Sequence, residues 1–245
     1  MRRLRTPACA AVFALWASAA SAGPPFLTDD PEPTEPGHWE IYGPYATTDG
    51  RGPERSGEVG VELNYGLAPD VQFTLGLPAA YDRDAAGTRW GAGDLEASLK
   101  VRVYENKAAG VQVAVFPAVT LPTARPGLGA GRVTASLPVW VQKDAGPWSL
   151  FGGGGLAINP GPGNRNYWSG GIALARQFGS GVQIGVEADR QGADTAGGSG
   201  TTMLGLGAIV HVAGPLRLLA SGGPTFSDAG GPAGYHGYAA LGWDF

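Results

Sequence analysis

Tyr235-His-Gly-Tyr-Ala-Ala-Leu-Gly-Trp-Asp-Phe245, the stretch on which the chain ends, alternates with period two. Successive strand residues point to opposite sides. Phe245, Trp243, Leu241, Ala239, Gly237 and Tyr235 therefore share one face, and Asp244, Gly242, Ala240, Tyr238 and His236 the other. Chain ends usually fray. An aromatic-rich strand that runs to the last residue needs a partner, and a closed barrel provides one by pairing its last strand with its first.

The amino-terminal end points to the same compartment. Arg2, Arg3 and Arg5 form a basic start, residues 8–20 are apolar, and Ala20-Ser21-Ala22 is a small-residue cleavage site. Residues 1–22 read as a cleaved secretory signal, too short to span a bilayer. Cys9, the only cysteine, lies inside it, so a mature chain has no disulfide, thiol redox chemistry or Cys-based metal site. Loss of the three arginines takes the formal net charge from −4 to −7. That excludes nucleic acid as an expected partner, because phosphate binding needs a basic footprint. Mean hydropathy is near zero at −0.05, as expected where alternation hides an apolar face.

Period two continues along the chain. Val59, Val61, Leu63 and Tyr65 alternate with Glu58, Gly60, Glu62 and Asn64; Leu95 to Val103 alternate with Asp94, Glu96, Ser98, Lys100 and Arg102; Val182, Ile184 and Val186 alternate with Gln183, Gly185 and Glu187. Short turn signals lie at 67–70, 106–110, 144–147, 179–181 and 213–215, where Gly, Pro, Asn and Asp cluster. Longer Gly- and Pro-rich stretches at 47–55, 82–91, 122–130, 160–165, 192–199 and 227–234 alternate with them. Short periplasmic turns and longer extracellular loops are the outer-membrane pattern. The sequence predicts an all-β, transmembrane, antiparallel up-and-down barrel of twelve strands near 38–46, 57–66, 71–81, 93–104, 110–121, 131–143, 147–158, 166–178, 181–191, 201–212, 215–225 and 235–245. The barrel domain is 38–245, and outer-membrane lipids are its surroundings. Trp39, Tyr65, Trp148, Phe178, Trp243 and Phe245 are expected at the periplasmic interface, and Tyr45, Tyr81, Trp168 and Tyr235 at the outer one.

On the polar face fall Glu58, Glu62, Asp94, Glu96, Lys100, Arg102, Arg132, Glu187, Asp189 and Arg217. In a barrel that face is the lumen, so these are the candidate pore-lining residues. Opposed acids and bases there would select solutes, or would pair into a plug that fills the interior. Residues 23–37 are proline-rich and acidic, unable to pair as a central strand. They are either a periplasmic lead or a segment folded into the lumen, with Arg102, Arg132 and Arg217 as partners for Asp29 and Asp30. Gly152-Gly-Gly-Gly155 invites a kink in the wall or close approach of another backbone. Catalysis has little to stand on. His38, His211 and His236 are scattered, His211 and His236 have no serine two residues away, and no spacing suits a metal. No catalytic residue, metal or cofactor is expected. Gly127-Leu-Gly-Ala-Gly131 has no helix after it to cradle phosphate.

Two resemblances add to this reading. The ending, through Tyr235, Leu241, Trp243 and Phe245, resembles the signal by which bacterial outer-membrane barrels engage the barrel-assembly machinery. The segment Pro24-Pro-Phe-Leu-Thr-Asp-Asp30, with Pro25, Phe26, Thr28, Asp29 and Asp30 as its motif positions, precedes Pro36-Gly-His-Trp-Glu-Ile41. Together with Tyr65-Gly-Leu-Ala-Pro-Asp-Val-Gln-Phe73 it resembles the outer-membrane family labelled "putative MetA-pathway of phenol degradation". That resemblance implies a channel or transporter for small, including aromatic or hydrophobic, molecules in a Gram-negative outer membrane. The rival readings are a closed structural or surface-interaction barrel and a lipid-modifying outer-membrane enzyme.

Overall fold

Alternating faces and regularly spaced turns give fourteen strands and no helix among the residues described, 25–245, in this computed structural model. The expected signal segment and Cys9 lie outside the described residues. The strands are β1 (Trp39–Arg51), β2 (Glu54–Ala68), β3 (Val71–Asp84), β4 (Gly87–Ala92), β5 (Leu95–Asn106), β6 (Val111–Val115), β7 (Ala118–Leu121), β8 (Thr134–Ala145), β9 (Trp148–Ile158), β10 (Tyr167–Phe178), β11 (Val182–Gln191), β12 (Thr201–Ala213), β13 (Leu216–Ser227) and β14 (Gly234–Asp244). Every pairing between them is antiparallel. The ring closes through β1 and β14, from Glu40 opposite Asp244 to Gly50 opposite Tyr235.

Fourteen strands make twelve positions in the wall. β4 and β5 both pair with β3 and are offset from each other at Gly93 and Asp94. β6 and β7 both pair with β5 and β8 and are separated by Phe116 and Pro117. Pro117 has no N–H to give to the ladder, which is why one wall strand reads as two.

The structure departs from the sequence reading at four places and decides between two readings at a fifth. The stretches 47–55 and 82–91, expected as loops, are strand for most of their length, paired up to Arg51 opposite Glu54 and Asp84 opposite Gly87. These hairpin tips have no buried face, so no alternation marks them. The sixth expected strand, β8 of the structure, begins at Thr134 rather than 131, which leaves Arg132 in the preceding loop. A bulge between Tyr42 and Tyr45 resets the parity of β1. Tyr45 consequently faces inward, with its ring stacked on Tyr238 at 6.2 Å, instead of joining the outer aromatic belt. Finally, pairing runs unbroken through Gly152–Gly155 against both β8 and β10. A Cβ on Gly152 would lie 2.7 Å from the carbonyl oxygen of Gly171, so close backbone approach accounts for this run.

The outward face is apolar and bare. Leu206, Ile172, Val186 and Leu77 lie on it, exposed at 60, 55, 53 and 40 %, the inverse of a soluble core. Trp39, Trp148, Phe178 and Phe245 stand exposed near the turn end of the wall, and Trp90 and Trp168 near the loop end. Trp39 packs on Tyr65, and Trp90 on Tyr81. Arg176 lies over the Trp148 and Phe178 rings at 5.2 and 4.8 Å, a cation held at the height of the lower belt.

Candidate functional site in the barrel lumen

The second residue after each short turn points inward. These residues are Gln72, Gln112, Ser149, Gln183 and Arg217, none more than 9 % exposed. Glu40 holds the matching place on β1. Of this polar ring only Arg217 was among the expected lumen residues, because attention to charge passes over neutral amides. A signal does exist: Val71-Gln-Phe73, Val111-Gln-Val113 and Val182-Gln-Ile184 each open a strand after a short turn.

Most of the ring is satisfied. Gln72 accepts from the Thr34 amide at 2.7 Å and donates to Asn64 at 2.9 Å. Gln112 accepts from Arg102 at 2.8 Å, and Ser149 donates to Asp144 at 2.7 Å. Arg217 is bound by Glu40 and Asp244, each at 2.5 Å, and lies 5.6 Å over the Tyr42 ring. It therefore latches the seam between β1 and β14 from β13. Gln183 is the exception: neither atom of its amide has a partner.

Residues 25–37 lie inside the ring. Gly37, with φ of +81°, turns the chain in from the end of β2, where its N–H donates to the Gly66 carbonyl at 2.8 Å. The segment then crosses the lumen. On the β3–β5 side, Lys100 meets Asp29 at 3.0 Å and Asp30 at 3.6 Å. On the opposite side the Glu187 carboxylate accepts the Thr28 and Leu27 amides at 3.0 and 3.3 Å. Ser221 donates to the Pro25 carbonyl. Phe26 is 7 % exposed and packs edge-on against Phe151 at 5.9 Å, with Ala173 and Ala175 beside it. Its seat exists because Gly185 and Gly207 carry no side chain: a Cβ on either would come within 2.7 or 2.6 Å of the ring. Burying a phenylalanine of this kind contributes roughly 1.5–3 kcal/mol. The partners expected for Asp29 and Asp30 are corrected here. Lys100 is the cation. Arg102 pairs instead with Asp70 and Glu105, Arg217 with Glu40 and Asp244, and Arg132 with the Pro160 carbonyl in the outer loops. Side-chain reach and the tilt of the strands decide this, and parity alone encodes neither.

The inserted segment divides the interior. Above it lie two connected spaces of about 510 and 380 Å³, which share Thr47, Glu62, Glu96 and Tyr238 as walls. Glu58 and Asp94 line the outer one. Asp94 accepts the Ala124 and Ala130 amides at 2.9 and 2.7 Å, folding the β7–β8 loop over the mouth. Lys100 is the only basic side chain among the Lys and Arg residues lining either space, and it is paired. Asp189, two residues beyond Glu187 on β11, shares its inward face. Below the segment lies a third space of about 530 Å³, bounded by residues 32–35, Gln183, Ile209, Arg217 and the seam. Glu32 and Glu40 line both the lower space and the one above. Burial pushes the Glu32 carboxyl up to about 7, against the pull of Arg102. His236 faces inward and bonds Asp49 at 2.9 Å across the seam.

No family model matches the chain, and no curated protein matches it. Solved structures do. An outer-membrane channel from Pseudomonas putida F1 superposes with a TM-score of 0.65 at 17 % identity, over 88 % of this chain and 98 % of that one. The translocator domain of the autotransporter NalP from Neisseria meningitidis does so with a TM-score of 0.55 at 13 % identity, over 84 % and 88 %. The monoaromatic hydrocarbon channel CymD reaches 0.49 at 8 % identity, over 85 % and 88 %. At these identities the likeness is one of fold. The chain has the fold of a bacterial outer-membrane barrel, and its apolar exterior is that of a protein seated in lipid.

Proposed function

We propose that the chain is an outer-membrane channel for small solutes, gated by its own residues 25–37 and selective for cations at its outer mouth. The observation that carries this reading is the pair of connected acidic spaces above the inserted segment. Glu58, Glu62, Asp94 and Glu96 face one passage with no unpaired Lys or Arg among its lining residues. Rings of like charge in a narrow polar passage attract the opposite ion and repel their own. The sequence resemblance and the channel structures support a transport role, and the tyrosines Tyr42, Tyr45 and Tyr238 offer flat apolar surface to a ring-bearing solute. The inserted segment is held by one ion-pair cluster, one carboxylate clamp, one aromatic seat and hydrogen bonds with Gln72 and Ser221, a set that substitutions within the segment can weaken without touching the wall.

Single-channel recording in planar bilayers tests this. The intact chain should conduct rarely or in small steps, and a chain lacking 25–36 should conduct steadily with cation-selective reversal potentials. Silence from both forms, in protein shown to be folded and inserted, would turn attention to a closed surface-interaction barrel. Phospholipid hydrolysis that persists after replacement of His38, His211 and His236 would exclude a His-dependent lipid-modifying enzyme.

A further inference from the structure

We propose that the lower space is a binding station for uncharged solutes that carry a primary carboxamide, with Gln183 as its recognition residue. The inference rests on the channel reading for its place in transport, while the binding itself is independent of conduction. Gln183 is 4 % exposed, yet both its amide nitrogen and its amide oxygen are unpartnered, and the side chain lines a space of about 530 Å³. Every other member of the polar ring described above has at least one side-chain hydrogen bond or ion pair. A buried amide left without partners costs on the order of 1–3 kcal/mol per group. Here that cost is recovered by whatever presents an acceptor and a donor side by side.

The surroundings narrow the chemistry. Ile209 is the cross-strand neighbour of Gln183 and supplies an apolar wall. Arg217, the cation nearest the seam, is occupied by Glu40 and Asp244. Its Nε–H is buried and unpartnered. Glu32 and Glu35 on the inserted segment close the other side. An anionic ligand meets these carboxylates unfavourably. A cation is drawn to these carboxylates and does not need the donor–acceptor pair of Gln183. A carboxamide on a small ring satisfies both atoms of Gln183 in an eight-membered, two-hydrogen-bond pair and lays its ring against Ile209.

The probe is benzamide, with benzoate and benzylamine as charged isosteres. Binding is measured by calorimetry on the full chain refolded in detergent, where no current has to flow. Saturable binding of benzamide, at least about tenfold weaker for benzoate and about tenfold weaker in Gln183→Leu, is the expected result, and any binding of benzylamine to the carboxylates should not depend on the Gln183 amide pair. Gln142→Leu, a buried amide on β8 outside this space, should leave it unchanged. On the unmutated protein the Gln183 side-chain amide resonance should shift on titration with benzamide, which keeps the inference testable if Gln183→Leu does not fold. Non-saturable binding, or saturable binding that neither moves this resonance nor depends on Gln183, would overturn it. A silent channel that still binds benzamide through Gln183 would remove the transport reading and leave the station standing.

Discussion

The two walls of the lumen are built on different principles. From β2 to β8 many of the inward residues are charged or amide-bearing, Glu58, Glu62, Asn64, Gln72, Glu96, Lys100, Gln112 and Gln142, with Ala80, Ala114 and Trp140 among them. From β9 to β13 they are mostly small or apolar: Phe151, Ala173, Ala175, Gly185, Met203, Gly207, Ile209 and Leu219. The first wall offers interactions to a charged visitor, and the second offers shape. The inserted segment is written to match both, with Asp29 and Asp30 meeting Lys100 and Phe26 meeting the glycine-lined seat. An interior that is polar on one side and small-apolar on the other thus holds an amphipathic strap better than either wall would hold it alone.

The largest break in this comparison comes from the charged side. Lys100→Met leaves Asp29 and Asp30 without their cation and should weaken seating of the segment by about 4 kcal/mol. Protease cleavage within 25–37 and channel open time would both rise steeply. On the small-residue side, Phe26→Ala should weaken seating by about 3 kcal/mol, read by the same two measurements. Gly207→Leu fills the seat from the wall and should reproduce that effect with Phe26 intact. A result in which Phe26→Ala changes neither readout would mean that the polar wall holds the segment by itself. Glu187→Gln keeps one acceptor of the clamp and should cost about 1 kcal/mol.

Above the segment, replacing Glu58 and Glu96 by Gln should lower cation selectivity, seen as a reversal potential moving toward zero in a salt gradient, with the segment still seated. A separate handle on the same seating is pH. The Glu32 carboxyl titrates near 7 when seated, above its ordinary 4.5. A raised acid favours the seated form fully below the ordinary value, and that contribution is lost as pH rises through about 7. Open time should therefore increase between about pH 5 and pH 8, and Glu32→Gln should remove part of that rise, because burial also raises the Asp30 carboxyl on the same segment.

Much of the wall was legible from the sequence because a membrane strand repeats one simple rule. The alternation at Val59–Tyr65 and at Leu95–Val103, and the five short turns, locate strands without knowledge of their neighbours. What escaped did so for physical reasons. Tyr45 faces inward, against the alternation, because one bulge reverses every later residue of β1, and a bulge leaves no mark on a hydrophobicity pattern. Lys100 rather than an arginine meets Asp29 and Asp30 because strand tilt sets relative height, and tilt belongs to the whole barrel. The Phe26 seat is made of what is missing at Gly185 and Gly207, positions that read as unremarkable strand glycines until the segment lies on them. The lumen amides were visible as a recurring Val-Gln after short turns, but neutral polar residues on an inward face usually signify solvation and draw no attention.

The hinge at Gly37 has a kinetic consequence. The segment joins the wall at one place, where Gly37 and Pro36 meet Gly66, and every other contact it makes is with a side chain or a carbonyl lining the ring. Its departure and return break no rung between neighbouring strands. Motion of residues 25–37 about Gly37 is therefore intrinsically that of a loop, nanoseconds to microseconds, slowed by the contacts that hold them. The wall, whose hydrogen bonds must all fail together, keeps a far longer time of its own, so exchange of the segment's amides with solvent should run many decades ahead of exchange in β8 to β13.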